Sequence, residues 1–154
     1  MDIKDLVTID SILTGVRAKD KKQMLQDLAT QAARLLGVSG SDLYEAILQR
    51  ERLGSTGVGR GVAIPHCRSS KVRELRCFYA RLDTPIAFDA PDGEPVDLVF
   101  LLVAPEEAGA DHLKALACIS RTMRDMSFVK RLRAVKGQQA IYSVMLDSAA
   151  RPAA

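Results

Sequence analysis

The sequence contains two histidines, His66 and His112, so any chemistry that needs an imidazole must use one of these positions. A histidine with an ordinary pKa of about 6.5 is partly neutral at physiological pH, and its free ring nitrogen can then attack a phosphorus centre. His66 directly follows Pro65 and a glycine-rich stretch, which makes it the candidate nucleophile. The competing interpretation is an ordinary histidine at the edge of a loop.

The glycine-rich stretch from Gly54 to Gly61 has four glycines in eight residues. No regular element tolerates that density, so we predict a loop whose uncovered backbone N–H groups can hold an anion such as a phosphoryl group. The candidate phosphate-binding residues are Ser55, Thr56, Gly57, Gly59 and Gly61. The stretch has neither the ending of a nucleoside-triphosphate loop nor the full dinucleotide fingerprint. Alternatively, these glycines only shape a turn.

Two further side chains belong to this hypothesis. Arg50 lies on the last turn of a predicted helix, where it is either an anion clamp or a solvated cation favoured by the helix dipole. His112 lies in the first turn of another predicted helix. It is either a structural histidine bordering the core or, if the fold brings it near His66, a hydrogen-bond donor to a phosphoryl group. No spacing of histidines and cysteines indicates a metal site, and we expect neither a metal nor another cofactor.

Apolar periodicity, glycines and capping residues predict the elements that position these side chains. We predict helices over residues 20–36, 41–53, about 111–123 and 127–135, and strands over residues 62–64, 77–82, 96–103 and 141–146. Ser41 and Asp111 are the predicted N-caps of the second and third helices. Helices and strands intermingle along the chain, which favours a layered α/β fold with one sheet flanked by helices.

The composition is that of one compact domain, with 47% hydrophobic and 27% charged residues in a chain of 154. We expect this domain to span residues 1–148 and residues 149–154 to form a flexible tail. The formal net charge of +3 is too small to indicate a nucleic-acid partner. No apolar run approaches the ~20 residues of a membrane span. Three cysteines without a Cys-x-x-Cys pair, and an N-terminus without an apolar signal core, predict a cytoplasmic protein with free thiols.

Charge is distributed unevenly along the chain. Eight acidic residues and no basic residue lie between Arg81 and Lys114, whereas six basic residues and one acid lie from Arg121 to Lys136. Such runs are either solvated faces or an oriented surface for docking a partner protein.

The stretch from Arg50 to His66 resembles the active-site signature of phosphotransferase-system (PTS) enzyme IIA proteins of the mannitol/fructose type, and more closely their nitrogen-regulatory branch. The resemblance continues through residues 84–89, 95–98, 112–113 and 131–133, and covers roughly residues 3–147. It implies a single mixed sheet flanked by helices. It also implies that His66 accepts phosphate from a histidine-containing phosphocarrier protein, that His112 and Arg50 are active-site residues, and that the Thr56 hydroxyl lies beside the phosphate.

The function implied by this resemblance is a phosphocarrier with a regulatory output, acting on targets such as potassium-transport or sensor proteins. The alternatives are a sugar-specific IIA that passes phosphate to a IIB domain, a binding module with an inert His66, and a small-molecule phosphate or nucleotide binder. The sequence leaves open which ring nitrogen carries the phosphate. Two departures from the family pattern suggest local differences: Arg60 would add a cation beside the phosphoryl site, and Cys67 would make the site redox-sensitive.

Overall fold

The structure, a computed structural model, describes residues 1–149. Residues 150–154, and with them most of the predicted flexible tail, lie outside the described residues. Two short 3₁₀ turns, Ile3–Asp5 and Ile9–Ser11, precede the first strand. The strands are β1 (Ile12–Leu13), β2 (Gly57–Gly59), β3 (Val62–Ala63), β4 (His66–Ser69), β5 (Arg76–Ile86) and β6 (Val96–Pro105). The helices are α1 (Lys21–Leu36), α2 (Gly40–Arg52), α3 (Ala110–Arg124), α4 (Met126–Ala134) and α5 (Gln138–Ala149).

These strands form one mixed sheet in the order β1-β5-β6-β3-β2, and β4 also pairs with β6. The pairing of β5 with β6 is antiparallel, whereas β3 and β4 each pair with β6 in parallel. The prediction of a single mixed sheet flanked by helices is therefore confirmed. β6 is the centre of this sheet, and its apolar residues from Leu98 to Val103 are fully buried.

Each face of the sheet carries its own apolar core because side chains alternate along a strand. Leu98, Phe100 and Leu102 of β6 join the core beneath α3, α4 and α5. Val99, Leu101 and Val103 join the core beneath α1 and α2. The two helical layers are thus held apart by the sheet, and each packs on one set of β6 side chains.

The predicted last strand over residues 141–146 is wrong, because this segment belongs to helix α5. Its buried residues are Ile141, Val144 and Met145, a spacing of three and four that fits one face of a helix. A strand would bury every second residue instead. The β-branched and aromatic residues of this short run favoured a strand locally, and packing on the sheet overrides that preference.

The prediction that residues 54–61 form a loop throughout is also wrong, because Gly57–Gly59 is strand β2 and pairs antiparallel with β3. The connection between the two strands passes through Arg60 and Gly61, with φ of 58° and 81°. A Cβ at Gly57 would come within 2.9 Å of the Ala90 Cβ, so glycine here permits close packing. The glycines therefore allow the chain to form a tight hairpin and allow neighbouring residues such as Ala90 to pack closely against it.

Several element boundaries differ from the predicted ones. Ser39, not Ser41, caps α2 by accepting a hydrogen bond from the Asp42 backbone N–H. Helix α3 begins at Ala110 after Gly109, so Asp111 is inside the first turn and is not the cap. Asp125 caps α4, which begins at Met126 instead of residue 127. These shifts of one or two residues leave the predicted order of helices intact.

Candidate functional site

The fold brings the two histidines together. His66 is the first residue of β4 and is in register with Leu102 of β6. After β6 ends at Pro105, the chain turns into α3, whose first turn contains His112. The two ring centroids are 5.6 Å apart, and the ring planes meet at 78°.

The backbone fixes the orientation and the tautomer of His66. Its Nδ1 lies 2.9 Å from the carbonyl oxygen of Ile64, which can only accept, so Nδ1 carries the proton. Nε2 then keeps its lone pair and accepts a hydrogen bond of 3.2 Å from Arg50 Nε. Burial of the ring, reinforced by the Arg50 cation, lowers the pKa of His66 below its ordinary value, against the opposing effect of the Ile64 hydrogen bond. His66 is therefore neutral at physiological pH, with Nε2 as its nucleophilic atom.

His112 is held by a side chain instead. It is 6% exposed, and its Nδ1 accepts a hydrogen bond of 2.9 Å from Arg68 Nε. Burial, followed by the charges of Arg68 and His66, lowers the pKa of His112 as well. Its other nitrogen, Nε2, is buried and has no hydrogen-bond partner among the described residues.

Both rings border a cavity of about 370 Å³. Its lining residues are Ala46, Gln49, Arg50, Leu53, His66, Cys67, Arg68 and His112. The two arginines make this wall cationic, which suits an anionic group. Leu53, at 84% exposure, is also part of the wall, and Leu113, at 66% exposure, follows His112 on α3. The cavity thus combines two neutral imidazoles, two guanidinium groups and an exposed apolar border.

The predicted phosphate-binding loop contacts other protein groups. The Thr56 hydroxyl donates to Glu51, and the Thr56 backbone N–H donates to the same carboxylate at 3.2 Å. Ser55 Oγ donates to the Phe88 carbonyl at 2.8 Å and accepts from the Gly57 N–H at 3.1 Å. In the described part of the chain, none of the five predicted loop residues is among those that line the histidine cavity. The structure therefore brings His66, His112 and Arg50 together, and leaves the loop outside their cavity wall.

Sequence reasoning missed the carboxylate that organises this loop. The Glu51 side chain is 3% exposed and pairs with Lys21 Nζ at 2.9 Å. Lys21 Nζ also lies 4.3 Å from the centroid of the Phe88 ring. The available signal was helical spacing, because Glu51 follows Leu43 and Ile47 at intervals of four on the buried face of α2. A charged residue at such a position indicates a buried ion pair.

The two departures from the family pattern do not behave as expected. Cys67 packs in the core against α1 and α2, and burial raises the pKa of its thiol to about 12. Such a thiol is almost wholly protonated and therefore a poor nucleophile, which argues against a redox-sensitive site. Arg60 lines a different cavity of about 540 Å³, together with Val58, Gly59, Ser120, Met123 and Arg124. It is not among the residues that border the histidine cavity.

Two further properties concern the class of protein. Within residues 1–149, no group of three or more His, Cys, Asp or Glu side chains is arranged to hold a metal ion. No helix in the same range has the length and apolar character needed to cross a membrane.

The mixed sheet thus carries a neutral histidine at the start of a strand, and this ring faces a second histidine on the next helix. The chain belongs to the EIIA 2 family of the phosphoenolpyruvate-dependent sugar phosphotransferase system, whose family model matches residues 5–148. Within that family it resembles nitrogen regulatory proteins. It is 54% identical over 145 residues to the nitrogen regulatory protein of Bradyrhizobium diazoefficiens, covering 94% of this chain and 95% of that protein.

Solved structures agree with this assignment. The crystal structure of nitrogen regulatory protein IIA-Ntr from Neisseria meningitidis superposes with a TM-score of 0.85 at 32% identity, covering 93% of this chain and 98% of that one. Enzyme IIAMTL of Escherichia coli, solved in complex with phosphorylated enzyme IIBMTL, gives a TM-score of 0.75 at 17% identity over 92% of this chain and 97% of that one. The second match shows the fold alone. The resemblance inferred from the sequence is confirmed.

Proposed function

We propose that this protein is a nitrogen-regulatory IIA phosphocarrier, which accepts a phosphoryl group on Nε2 of His66 from a histidine-containing phosphocarrier protein. The observation that carries the proposal is the unprotonated Nε2 of His66, which accepts a hydrogen bond from Arg50 in a cationic cavity that His112 also lines. The membership in the IIA family supports the same reading. The phosphorylation state of His66 would then regulate target proteins.

The transfer step uses the groups already in contact. The Nε2 lone pair of His66 forms a bond to phosphorus while the donor's N–P bond breaks and its electron pair returns to the donor imidazole. The proton stays on His66 Nδ1, which keeps donating a hydrogen bond to the Ile64 carbonyl, so the loaded ring is cationic. A cationic ring is a good leaving group, which keeps the phosphoryl group ready for onward transfer.

The surrounding residues stabilise the charge on the phosphoryl oxygens. Arg50 donates to His66 Nε2 before transfer, and its guanidinium can turn to an oxygen of the new group. His112 Nε2 provides a further donor from the opposite side. Fixed donors of this kind supply most of what a protein contributes to phosphoryl transfer.

Phosphorylation also explains how a carrier of this kind would act as a signal. The phosphoryl group adds about two negative charges to a cavity that is cationic beforehand. A partner that reads this cavity therefore meets a less positive surface in the phosphorylated state. By family resemblance, the targets are proteins such as potassium transporters or sensors; these partners and the cytoplasmic location stay predictions.

Labelled phosphoenolpyruvate with the general phosphotransferase proteins tests the proposal. We expect label on the wild-type chain, and none on His66→Ala. His112→Gln serves as the matched control, because it keeps the nucleophile and is expected to label more slowly. A wild-type chain that takes up no label would overturn the carrier function and leave a binding module with an inert histidine, whereas label on His66→Ala would overturn the carrier role of His66.

The alternative is a sugar-specific IIA that passes its phosphoryl group to a IIB domain. The fold shared with enzyme IIAMTL, which was solved together with phosphorylated enzyme IIBMTL, favours keeping it as the second candidate. Labelled protein incubated with an isolated IIB domain separates the two. Rapid loss of label to the IIB domain supports sugar transport, and retained label supports the regulatory role.

A further inference from the structure

Besides adding positive charge to the cavity wall, Arg68 makes the one side-chain hydrogen bond of His112 found in the described residues. A guanidinium has only donors, so the contact requires Nδ1 of His112 to be the acceptor. A neutral imidazole carries one N–H, which must then be on Nε2. We infer that Arg68 is a positioning residue, which fixes His112 in the tautomer that presents Nε2–H to a phosphoryl group on His66. The inference rests on the proposed function.

The burial of His112 Nε2 without a hydrogen-bond partner in the described part of the chain also supports this role of Arg68. This atom is buried and has no partner among residues 1–149, although a buried donor without an acceptor is costly. The neighbouring His66 ring lies 5.6 Å away, centroid to centroid. A phosphoryl oxygen on His66 would supply the missing acceptor. Without Arg68, the proton could move to Nδ1, and Nε2 would then present a lone pair to an anion.

Arg68 also opposes full protonation of His112. A dianionic phosphoryl group nearby favours the charged form of an imidazole. Protonation would place an N–H on Nδ1 directly against the Arg68 N–H, where two donors and two positive charges would meet. His112 therefore stays a neutral hydrogen-bond donor beside the loaded His66, and does not become an acid that protonates the phosphoryl group.

Strand β4 gives this contact its geometry. Arg68 follows His66 by two residues and is in register with Ala104 of β6. Alternate residues of a strand share a face, so His66 and Arg68 lie on one side while Cys67 packs into the core on the other. One short strand thus holds both the nucleophile and the residue that orients the partner of that nucleophile.

The tautomer can be measured directly on the unphosphorylated full chain, by ¹⁵N NMR of the imidazole nitrogens. We expect His112 of the wild type to show a protonated Nε2 and an unprotonated Nδ1. In Arg68→Met this signature should give way to a mixture of tautomers, and Arg68→Lys should restore it in part because an ammonium also donates to Nδ1. Arg34→Met, which removes an exposed arginine of α1, is the control and should change neither histidine.

The functional readout is the rate of phosphoryl transfer to His66. Arg68→Met should slow it about tenfold, as expected if the competent tautomer falls to about one part in ten. A protonated Nδ1 in the wild type would overturn the inference, and so would an unchanged tautomer in Arg68→Met. If transfer slows while the tautomer stays fixed, Arg68 acts on the phosphoryl group directly and the positioning role is wrong.

These outcomes are separable from failure of the proposed function. The NMR measurement needs no phosphate donor, so it can succeed even if wild-type His66 takes up no label. In that case the carrier function is wrong and only the tautomer assignment stands. If Arg68→Met does not fold, Arg68→Ala, which also removes the donor to Nδ1, gives the same comparison, and the wild-type measurement still decides the assignment.

Discussion

At the scale of single residues, the two histidines are held by different kinds of group at the same ring atom. Nδ1 of His66 faces a carbonyl and must carry a proton, whereas Nδ1 of His112 faces a guanidinium and must not. The two Nε2 atoms therefore have opposite properties. His66 Nε2 is unprotonated and can act as the nucleophile, whereas His112 Nε2 carries a proton and can donate a hydrogen bond. This difference suits them to the two sides of one transferred phosphoryl group.

The lowered pKa of His66 predicts how phosphorylation depends on pH. A lowered pKa means that the neutral, nucleophilic form persists to more acidic solution than for a free histidine, so the rate should stay level as the pH falls through about 6.5. Arg50→Gln removes one of the causes and should raise the pKa of His66, although burial, the larger cause, remains. The acid limb of the rate profile should then move to higher pH.

The measurement is the initial phosphorylation rate across mildly acid to neutral pH, with an NMR titration of His66 in both proteins. Because Arg50 also contacts the nucleophile, the maximal rate of the variant should fall, and the position of the limb is the informative quantity. A variant whose His66 titrates at or below the wild-type pKa would contradict the electrostatic role of Arg50.

At the scale of elements, prediction succeeded where one interaction dominates. Helix α1 matches the predicted residues 20–36 within one residue, because Asp20 caps it and Gly37 ends it with a φ of 71°. Prediction failed in α5, because the segment from Ile141 is apolar enough to form either a strand or a helix. Only its packing against the sheet selects the helix. Prediction also failed for β2, because the hairpin depends on Ala90 and Arg133, which are distant in sequence.

In the candidate site, too, some features could be predicted from the sequence and others could not. His66, His112 and Arg50 were identified from residue type and a resemblance, and their proximity now has a structural basis. Helical spacing indicates that Glu51 is buried and paired, but the partners of Glu51 and Arg68 could not be foreseen, because each lies in another element. The expected loop hydroxyls were assigned by residue type alone, and local hydrogen bonds to Glu51 and Phe88 engage them instead.

Gly61 gives a stability prediction for the hairpin that leads to His66. Its φ is 81°, and a Cβ there would come within 2.5 Å of Arg133 Nη2 and 2.9 Å of Asp97 Oδ1. Gly61→Ala should therefore strain the backbone and displace the Arg133–Asp97 ion pair, lowering the free energy of unfolding by about 2–3 kcal/mol. Urea unfolding followed by circular dichroism measures this change.

Gly93→Ala is the matched control. Gly93 also has a positive φ, of 72°, but nothing lies within 4 Å of the place where its Cβ would be. In this variant the free energy of unfolding should fall only by the cost of the strained backbone conformation, about 1 kcal/mol. Equal losses in the two variants would show that crowding at Gly61 contributes nothing.

At the scale of the whole molecule, the site lies where both helical layers reach the sheet. α2, which packs on one core, supplies Arg50, and α3, which packs on the other, supplies His112. β4 supplies His66 between them. The geometry of the pair therefore depends on both cores. The extent of a single domain over residues 1–148 stays a prediction.

The exposed leucines beside the cavity predict a docking surface for the phosphate donor. Leu53→Ser and Leu113→Ser remove apolar side chains that the free protein leaves largely in water, so folding should be little affected. Loss of their burial in a complex should raise the KM for the donor protein about tenfold, or about 1.4 kcal/mol, with little change in kcat.

Initial rates over a range of donor concentrations give the KM and kcat of each variant. Leu35→Ser, on α1 and 40% exposed, is the control and should leave both constants unchanged. An unaltered KM in the first two variants would place the donor on another face of the molecule.

The alternation of side chains along β4 has a consequence for how this strand can vary. In its register with β6, the side chains of His66 and Arg68 lie on one face of the strand, and the Cys67 side chain packs into the core on the other face. Inserting one residue after Pro65 would turn the strand over, driving a guanidinium into an apolar interior and carrying the thiol out to water. A single substitution on β4 thus affects one of these features, whereas a change in the length of the strand would disrupt the nucleophile, the orientation of His112 and part of the core together.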